Sequence, residues 1–145
     1  MSHLVIDASV AVKWVVEEDG TPEAINVLNK HALSSPDLLI AECANILWKK
    51  VKLAELSEEQ AMLAARLLQR ADVEILPTRH LMERALRLAL ELDHAAYDCI
   101  YLALALENHR PFVTADDRLR RKLAQSSRLG FDKVVLSMRE AATRE

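Results

Sequence analysis

Glycine is scarce in this sequence, with only Gly20 and Gly130 among 145 residues. Loops that wrap around the phosphates of a nucleotide need several glycines at close and fixed spacing, because the backbone must approach the phosphate without a side chain in the way. Neither a P-loop nor a dinucleotide-binding turn can be built from two distant glycines. So few residues of this turn-forming type also predict a chain that is mostly helical.

Cysteine is equally scarce, and the histidines follow no motif spacing. Cys43 and Cys99 stand far apart, whereas a structural zinc site needs several cysteine or histidine ligands at close spacing. We interpret both cysteines as small apolar packing residues. The five histidines are scattered, with no H-E-x-x-H sequence and no motif that marks a serine or cysteine nucleophile. Zinc binding through cysteines and acyl transfer therefore have no support.

Long apolar runs are missing as well. None reaches the roughly 20 residues that cross a bilayer as a helix, and the apolar stretch near the N-terminus has no basic flank of the kind that opens a signal peptide. Hydrophobic residues make up 51% of the chain and charged residues 28%, a balance typical of soluble globular proteins. We expect one domain over residues 1–145, in the cytoplasm and without a membrane partner.

The sequence does contain an alternation of predicted strands and helices. The predicted strands are HLVID (3–7), VEIL (73–76), PFVT (111–114) and KVVL (133–136). Helices are predicted over residues 8–18, after Pro22, and over 57–70, 78–92, 95–105, 115–125 and 137–145, and segment 34–52 is predicted to pass from a turn into a long helix. Ser57 with Gln60 and Ser137 with Glu140 have the spacing of capping boxes. Such alternation favours an α/β fold, in which helices cover both faces of a parallel sheet.

Four of the 22 acidic residues stand out, because most of the others have a basic neighbour one turn away or lie in the first turn of a helix. Asp7 ends the first strand, and Asp116 follows the strand PFVT. Glu42 and Asp98 lie within apolar helical segments, and no lysine or arginine stands one turn from Asp98 in either direction. A charge in such a setting costs several kcal/mol unless a partner offsets it.

Each of the four also has a simpler alternative. Asp7 and Asp116 are suited to cap the helices that follow them, and Glu42 and Asp98 would point to solvent if their helices were rotated. The four together favour a site, because ligands of open α/β sheets collect at the carboxyl ends of the strands, where Asp7 and Asp116 lie. Four converging acids would repel one another unless a cation lay between them.

An all-oxygen site of this kind suits a hard divalent cation, Mg²⁺ or Mn²⁺. Such an ion lowers the pKa of a bound water and polarises a phosphoryl oxygen. Hydrolysis of a phosphodiester bond is the reaction that these properties favour. A metal ion would then be the partner of Asp98 that no lysine or arginine provides.

The stretches around the four acids resemble those of PIN domains, and among these the VapC-type toxins of toxin–antitoxin pairs. The matching stretches, which follow the same order across essentially the whole chain, are LVIDASV, AECANIL, YDCIYLALA and VTADDRL. The resemblance implies a three-layer α/β/α sandwich with a central, mainly parallel sheet. It also implies an endoribonuclease that depends on Mg²⁺ or Mn²⁺, and a homodimer that a cognate antitoxin binds and inhibits.

The resemblance also assigns residues to the site. The catalytic acids that it assigns are Asp7, Glu42, Asp98 and Asp116, the direct metal ligands are Asp7 and Asp98, and the polar residues that order the site are Ser9 and Thr114. The spacing after VT favours Asp116 over its neighbour Asp117 as the fourth acid. Asp117 is interpreted as the cap of the next helix.

Substrate and partner surfaces are less clearly marked. The formal net charge of -3 is low for an enzyme that binds nucleic acid, although the clustered acids account for it and a bound cation would offset them. Two basic runs lie near candidate acids, RLRRK (118–122) and KKVK (49–52), and each is either a solvated face or a contact for substrate phosphates. Trp14 and Trp48 are either core residues or part of a groove that receives a partner's helix or tail.

Two other functions stay open at this point. A metal-dependent phosphotransfer domain, such as a receiver or a haloacid-dehalogenase-like domain, also places aspartate at strand ends. Those domains usually need a second acid close to the first, and the segment DASVAVK has none. A noncatalytic PIN-like module that binds RNA or protein is expected to lack one of the four acids, and none is missing.

Overall fold

The computed structural model describes residues 2–126 and 131–144 of the chain. Within these residues, five strands form one sheet: β1 (His3–Ile6), β2 (Ala32–Pro36), β3 (Val73–Leu76), β4 (Phe112–Val113) and β5 (Val135–Leu136). Their spatial order is β3-β2-β1-β4-β5, and every neighbouring pair is parallel. The carboxyl ends of all the strands therefore lie at the same end of the sheet.

Helices connect the strands and carry most of the chain. In the part of the chain that the structure describes, two short 3₁₀ turns accompany them, Val12–Trp14 directly after α1 and Arg79–Leu81 directly before α5. The helices are α1 (Ala8–Ala11), α2 (Thr21–Lys30), α3 (Leu38–Lys52), α4 (Glu58–Gln69), α5 (Met82–Leu92), α6 (Ala96–Asn108), α7 (Asp117–Ala124), α8 (Phe131–Val134) and α9 (Met138–Thr143).

The sheet separates two apolar cores. Side chains alternate along β1, so that Leu4 and Ile6 enter one core while Val5 enters the other. The first core contains buried residues of α1, α2, α3, α4 and α9, and the second contains those of α5, α6 and α7. The fold is thus a three-layer α/β/α sandwich around a parallel sheet, as the sequence predicted.

Two predicted elements need correction. Residues 34–36 were expected to form a turn, but they belong to β2, whose sequence ALSSP has neither the alternation nor the apolar run that indicates a strand. Its two serines are buried, and the Ser35 hydroxyl donates a hydrogen bond to the Ile6 carbonyl at 2.8 Å. The helix expected over 8–18 ends as a 3₁₀ turn at Trp14, because its valines do not favour a long helix.

The remaining elements match their predictions with small changes at the ends. Both capping boxes are formed, at Ser57 with Gln60 and at Ser137 with Glu140. Strands β4 and β5 are two residues each, and Val134 of the predicted strand KVVL ends α8 instead. Glu145, the last residue of the predicted C-terminal helix, lies outside the described residues. Among the helices that the structure describes, none combines the length and the apolar character that crossing a membrane requires.

Candidate active site

The order of the strands creates a crevice beside β1 and β4. From β1 the sheet grows in one direction through β2 and β3, and the chain then adds β4 and β5 on the other side of β1. Ligands of open α/β sheets bind at such a switch point, outside the carboxyl ends of the strands. Asp7 directly follows β1, and Asp116 stands three residues after β4, so both lie at this crevice.

Asp7 is held rigidly by hydrogen bonds. Its side chain is buried, with 6% exposure, and it caps α1 by accepting a hydrogen bond from the Val10 amide at 3.3 Å. The Ser9 hydroxyl donates to Oδ1 at 2.5 Å, and the Thr114 hydroxyl donates to Oδ2 at 2.6 Å. Burial raises the pKa of Asp7 to about 6, although these two hydroxyls oppose the rise and the charge of Asp98 adds to it.

The same two hydroxyls connect Asp7 to the loop that carries Asp116. The Ser9 oxygen accepts a hydrogen bond from the Ala115 amide, and the Thr114 oxygen accepts one from the Asp116 amide, both at 3.0 Å. Ser9 and Thr114 therefore join the end of β1 to the loop that follows β4. Asp116 in turn accepts hydrogen bonds at Oδ1 from the first amides of α7.

Asp7 and Asp116 thus fit both of the alternatives that the sequence left open. Each is a helix cap, and each also lies at the crevice. The interpretation of Asp117 as the cap of α7 was wrong, because the α7 amides bond to Asp116 instead. Asp117 is exposed and forms an ion pair with Arg120, one turn further along α7. Its carboxylate therefore has a partner away from the other acids.

Glu42 projects from α3 toward the second core. The hydroxyl of Tyr101 donates a hydrogen bond to its Oε1 at 2.5 Å. Tyr101 is fully buried and stacks on Phe112 of β4, with the ring centroids 5.8 Å apart. Burial raises the pKa of Glu42, with a further contribution from the charge of Asp98, while the Tyr101 hydrogen bond lowers it. Glu42 is thus partly buried and does not point freely to solvent.

Asp98 has a side-chain partner, His94, that was not predicted from the sequence. The Nε2 atom of His94 lies 2.5 Å from Asp98 Oδ2, and the two side chains are 9% and 28% exposed. His94 stands four residues before Asp98, and this spacing of one helical turn was the signal that could have found it. Tyr101 is the partner of Glu42 and was missed because the two residues are 59 positions apart in the sequence.

The four acids converge on one region. One carboxylate oxygen each from Asp98 and Asp116 and one ring nitrogen of His94 all lie within 4.8 Å of one another. The charge of Asp98 also acts on Asp7 and on Glu42, since it raises the pKa of both. The alternative in which Asp98 points to solvent, away from the strand ends, is therefore wrong.

The donor atoms of this cluster fit a divalent cation. Carboxylate oxygens from Asp98 and Asp116 lie within 4.8 Å of each other, so that small side-chain movements would let them bind one ion together, and the buried carboxylate of Asp7 is nearby. A cation between the acids would offset the charge of Asp98, which adds to the rise that burial causes in the pKa values of Asp7 and Glu42. The residues present therefore suit a metal ion of the class expected from the sequence.

The family model of the PIN domain matches residues 4–123 of the chain. The chain belongs to the PIN domain family. It is also 31% identical over 129 residues to the protein named Ribonuclease VapC1 of Mycobacterium tuberculosis (strain CDC 1551 / Oshkosh), a match that covers 82% of this chain and 90% of that protein. The resemblance to PIN domains and to VapC-type toxins is thus confirmed.

Solved structures agree with this PIN fold. The structure of PAE2754 from Pyrobaculum aerophilum matches with a TM-score of 0.73 and 19% identity, over 99% of this chain and 88% of the other. VapC20 of Mycobacterium tuberculosis, described as a sarcin-ricin loop cleaving toxin, matches with a TM-score of 0.63 and 12% identity, over 90% of this chain and 93% of the other. VapBC2 from Rickettsia felis, bound to a DNA fragment from its promoter, matches with a TM-score of 0.61 and 12% identity, over 93% of this chain and 98% of the other. At these identities the likeness concerns the fold alone.

The basic runs of this PIN domain are partly engaged in internal contacts. In RLRRK, Arg120 pairs with Asp117, and Lys122 donates a hydrogen bond to the Asp93 carbonyl at 2.6 Å. In KKVK, Lys50 pairs with Glu18 at 2.9 Å and Lys52 lies over the ring of Trp48. The residues of the two runs that remain for contact with a substrate are Lys49, Arg118 and Arg121.

The two tryptophans have different settings. Trp14 is partly buried, and its ring N–H donates a hydrogen bond to the Ala24 carbonyl at 2.8 Å. It also lines an apolar groove of about 270 Å³ between α3, α4 and β3, which we call the α3–α4 groove. Other residues that line this groove are Ile40, Leu47, Leu68 and Ile75. Trp48 lies on the exposed side of α3.

Proposed function

We propose that this protein is a metal-dependent endoribonuclease that hydrolyses phosphodiester bonds in RNA, and the toxin of a toxin–antitoxin pair. The observation that carries the proposal is the convergence of Asp7, Glu42, Asp98 and Asp116 at the crevice of a PIN fold. The identity of 31% to Ribonuclease VapC1 over most of the chain supports the same function. An enzyme that cleaves cellular RNA would act in the cytoplasm.

The proposed cation is Mg²⁺ or Mn²⁺, held by Asp98 and Asp116 together with Asp7. When bound, such an ion stabilises negative charge on the phosphate and lowers the pKa of a water molecule. Asp7 has little freedom to move, because Ser9 and Thr114 each donate a hydrogen bond to one of its oxygens. The negative charge of Asp7 therefore has a fixed position. The same two hydroxyl oxygens accept hydrogen bonds from the loop that carries Asp116, so they also hold Asp7 in place relative to Asp116.

Glu42 is the residue that we propose to accept a proton from the attacking water. Its Oε1 is occupied by the Tyr101 hydroxyl, so Oε2 is the oxygen that remains for a proton. The burial that raises the pKa of Glu42 makes its carboxylate a stronger base than an exposed glutamate. Tyr101 orients the carboxylate, since its ring is fixed by the stack on Phe112.

A protein partner fits the apolar surface of α3 and α4. We propose that the cognate antitoxin inserts a helix or an extended tail into the α3–α4 groove, because an apolar groove between two helices is a common receptor for such segments. For the homodimer we propose α5 as the contact. Met82, Leu86 and Leu90 recur every four residues along it and are all exposed.

The decisive experiment is cleavage mapping on total cellular RNA. Wild-type protein with Mg²⁺ or Mn²⁺ should produce defined cuts that EDTA abolishes. Asp98→Asn should lower the cleavage rate by at least about 100-fold, since it removes a charged ligand of the proposed cation, which stabilises negative charge on the phosphate. Asp72→Asn is the matched control, because Asp72 is exposed before β3, at the opposite end of the sheet.

The outcomes separate enzymatic from noncatalytic function. Equal cleavage by wild type and Asp98→Asn would point to a contaminating nuclease and would contradict the proposed site. Absence of cleavage in every metal, from folded protein, would instead support a noncatalytic binding module.

A further inference from the structure

His94 is not explained by a site built from four carboxylates. Helix α5 ends at Leu92, Asp93 adopts a left-handed backbone with φ of 50°, and the His94 amide donates back to the Ala89 carbonyl at 3.1 Å. This tight turn directs the imidazole toward the first turn of α6, where Asp98 lies. The ring is more than nine-tenths buried, so it is not a solvated side chain that meets Asp98 by chance.

The imidazole nitrogen has the position of a metal ligand. His94, Asp98 and Asp116 come from the α5–α6 turn, α6 and the start of α7, and their donor atoms lie within 4.8 Å of one another. Donors on opposite sides of one ion with bonds of about 2.1 Å are about 4.2 Å apart, and adjacent donors are about 3 Å apart. Small side-chain movements would therefore let all three bind the same ion. Asp7 lies nearby as a further carboxylate, and its two oxygens accept hydrogen bonds from Ser9 and Thr114.

We propose that His94 Nε2 is a direct ligand of the cation beside Asp98 and Asp116, and that it makes the site prefer a first-row transition ion to Mg²⁺. The inference rests on the proposed metal-dependent function and specifies its ion. Mg²⁺ accepts oxygen donors and retains its waters, whereas imidazole is a favourable ligand for transition ions. The alternative role for His94 is a hydrogen bond that only orients Asp98.

Pulsed electron paramagnetic resonance with Mn²⁺ as the probe tests the ligation directly. Mn²⁺ bound to the wild-type protein should show the coupling of a directly bonded ¹⁴N nucleus. The signal should disappear in His94→Gln, which keeps a hydrogen-bonding group near Asp98 but has no imidazole. His80→Gln is the matched control, because His80 is an exposed histidine paired with Glu107 away from the cluster, and it should retain the signal.

A second form of the test needs no substitution. Wild-type protein prepared with ¹⁵N-histidine should replace the ¹⁴N coupling by that of ¹⁵N, even if His94→Gln does not fold. Mn²⁺ that binds the wild-type protein without any nitrogen coupling would overturn the ligation by His94 and leave the proposed nuclease intact. Failure of the wild-type protein to bind Mn²⁺ would also overturn the ligation by His94, and failure to bind Mg²⁺ as well would overturn the proposed nuclease.

Calorimetric titration tests the ion preference. His94→Gln should weaken Mn²⁺ binding by at least about tenfold, the lower end of the effect of losing even an outer group that supports a metal site. Mg²⁺ binding should weaken by a smaller factor, so that the ratio of the two affinities falls. Equal losses for both ions would show that His94 acts through Asp98 alone and would overturn the proposed selectivity.

Discussion

At the scale of single residues, the carboxylate of Asp7 both stabilises the fold and belongs to the candidate active site. It caps α1, it ties β1 to Thr114 after β4, and its charge lies near that of Asp98. Capping places a carboxylate at the start of a helix, and in this fold the helices that follow β1 and β4 start at the crevice. The structural and the functional explanations of Asp7 and Asp116 are therefore compatible.

The raised pKa of Asp7 predicts a pH-dependent stability in the metal-free protein. Because its pKa is about 6 in the folded state and 3.8 ordinarily, the folded state binds more protons between these values. Stability from this group is thus complete below pH 4 and falls as the pH rises to about 6. Asp7→Asn does not titrate, so its stability relative to wild type should increase over that window, by up to about 3 kcal/mol.

Urea unfolding in EDTA between pH 4 and pH 7.5 measures this difference. Asp72→Asn is again the control, since an exposed carboxylate should give a nearly constant difference from wild type. The same flat profile for Asp7→Asn would contradict the burial of a charged Asp7 as the source of the effect.

Tyr101→Phe tests the support of Glu42. The substitution removes the hydroxyl that bonds to Oε1, and this hydrogen bond lowers the pKa of Glu42, so the pKa should rise further. Stability should fall by about 1 kcal/mol, the net value of a hydrogen bond, and the acid limb of the pH–rate profile for RNA cleavage should move to higher pH. Tyr97→Phe is a matched control on the same helix, because Tyr97 is 64% exposed. An unmoved acid limb in Tyr101→Phe would contradict the positioning role.

The acids could be predicted from the sequence, but their partners could not. Asp7 and Asp116 stand at strand ends, and Glu42 and Asp98 interrupt apolar helical stretches, so each is visible in a pattern. Tyr101 meets Glu42 across 59 positions of sequence, a contact that only the tertiary fold creates, since the buried residues of α3 and α6 belong to different cores. His94 was within reach, because its spacing from Asp98 is that of one helical turn.

At the scale of elements, β2 shows why a central strand can escape prediction. Hydrophobic periodicity identifies a strand when its side chains face an apolar core. In β2 the residues Ser34 and Ser35 are buried all the same, because their hydroxyls donate to carbonyls of β1. Backbone pairing on both sides, with β1 and β3, holds the strand in place. Such stabilisation depends on neighbours that the local sequence does not contain.

Helix α7 carries the prediction for RNA binding. It begins at the crevice, and Arg118 and Arg121 are exposed there without ion pairs among the described residues, unlike Arg120. Arg118→Ala and Arg121→Ala should each weaken RNA binding. Each should also reduce the slope of the logarithm of the RNA-binding constant against the logarithm of the salt concentration by about 0.7. Thermal stability should change little. Binding at several salt concentrations by fluorescence anisotropy, with catalytically inactive Asp98→Asn as the background, provides the measurement.

Arg66→Ala supplies the matched control for these two variants. Arg66 is an exposed arginine of α4, which carries none of the site residues. Equal reductions of the salt dependence for all three variants would mean that RNA binds through the overall charge and not along α7.

At the scale of the whole molecule, the alternation of strands and helices was sufficient to predict a parallel sheet covered on both faces. The pairing of β4 with β1 creates the crevice. These two strands are far apart in the sequence, and the pattern of residues does not specify that they pair. The resemblance to PIN domains implied only that the acids of four stretches belong to one site, so that the ends of β1 and β4 had to lie near that site. Fold class was therefore accessible from periodicity, and the site from residues that periodicity leaves unexplained.

The molecule presents two apolar surfaces that we assign to different partners. The stripe on α5 lies opposite the core residues Ala85 and Leu88, so it is a convex face that a second copy can match by twofold symmetry. The α3–α4 groove is concave and suits a segment of the antitoxin. The apolar stretch AMLAARLL in α4 is a second candidate for the dimer contact, and the exposed stripe on α5 is the one that we favour.

Two double variants should separate these surfaces. Leu86→Glu with Leu90→Glu places charges on the α5 stripe, so the protein should become monomeric in analytical ultracentrifugation at micromolar concentration while it still copurifies with the antitoxin encoded beside it. Ile40→Glu with Ile75→Glu changes two exposed residues that line the groove, so the dimer should persist and copurification should fail. Cells that co-express the antitoxin should then lose protection only with the groove variant, because the toxin is no longer bound. Loss of the dimer in the groove variant, or loss of antitoxin binding in the α5 variant, would contradict the assignment, since each charge would then be disrupting the other partner's surface.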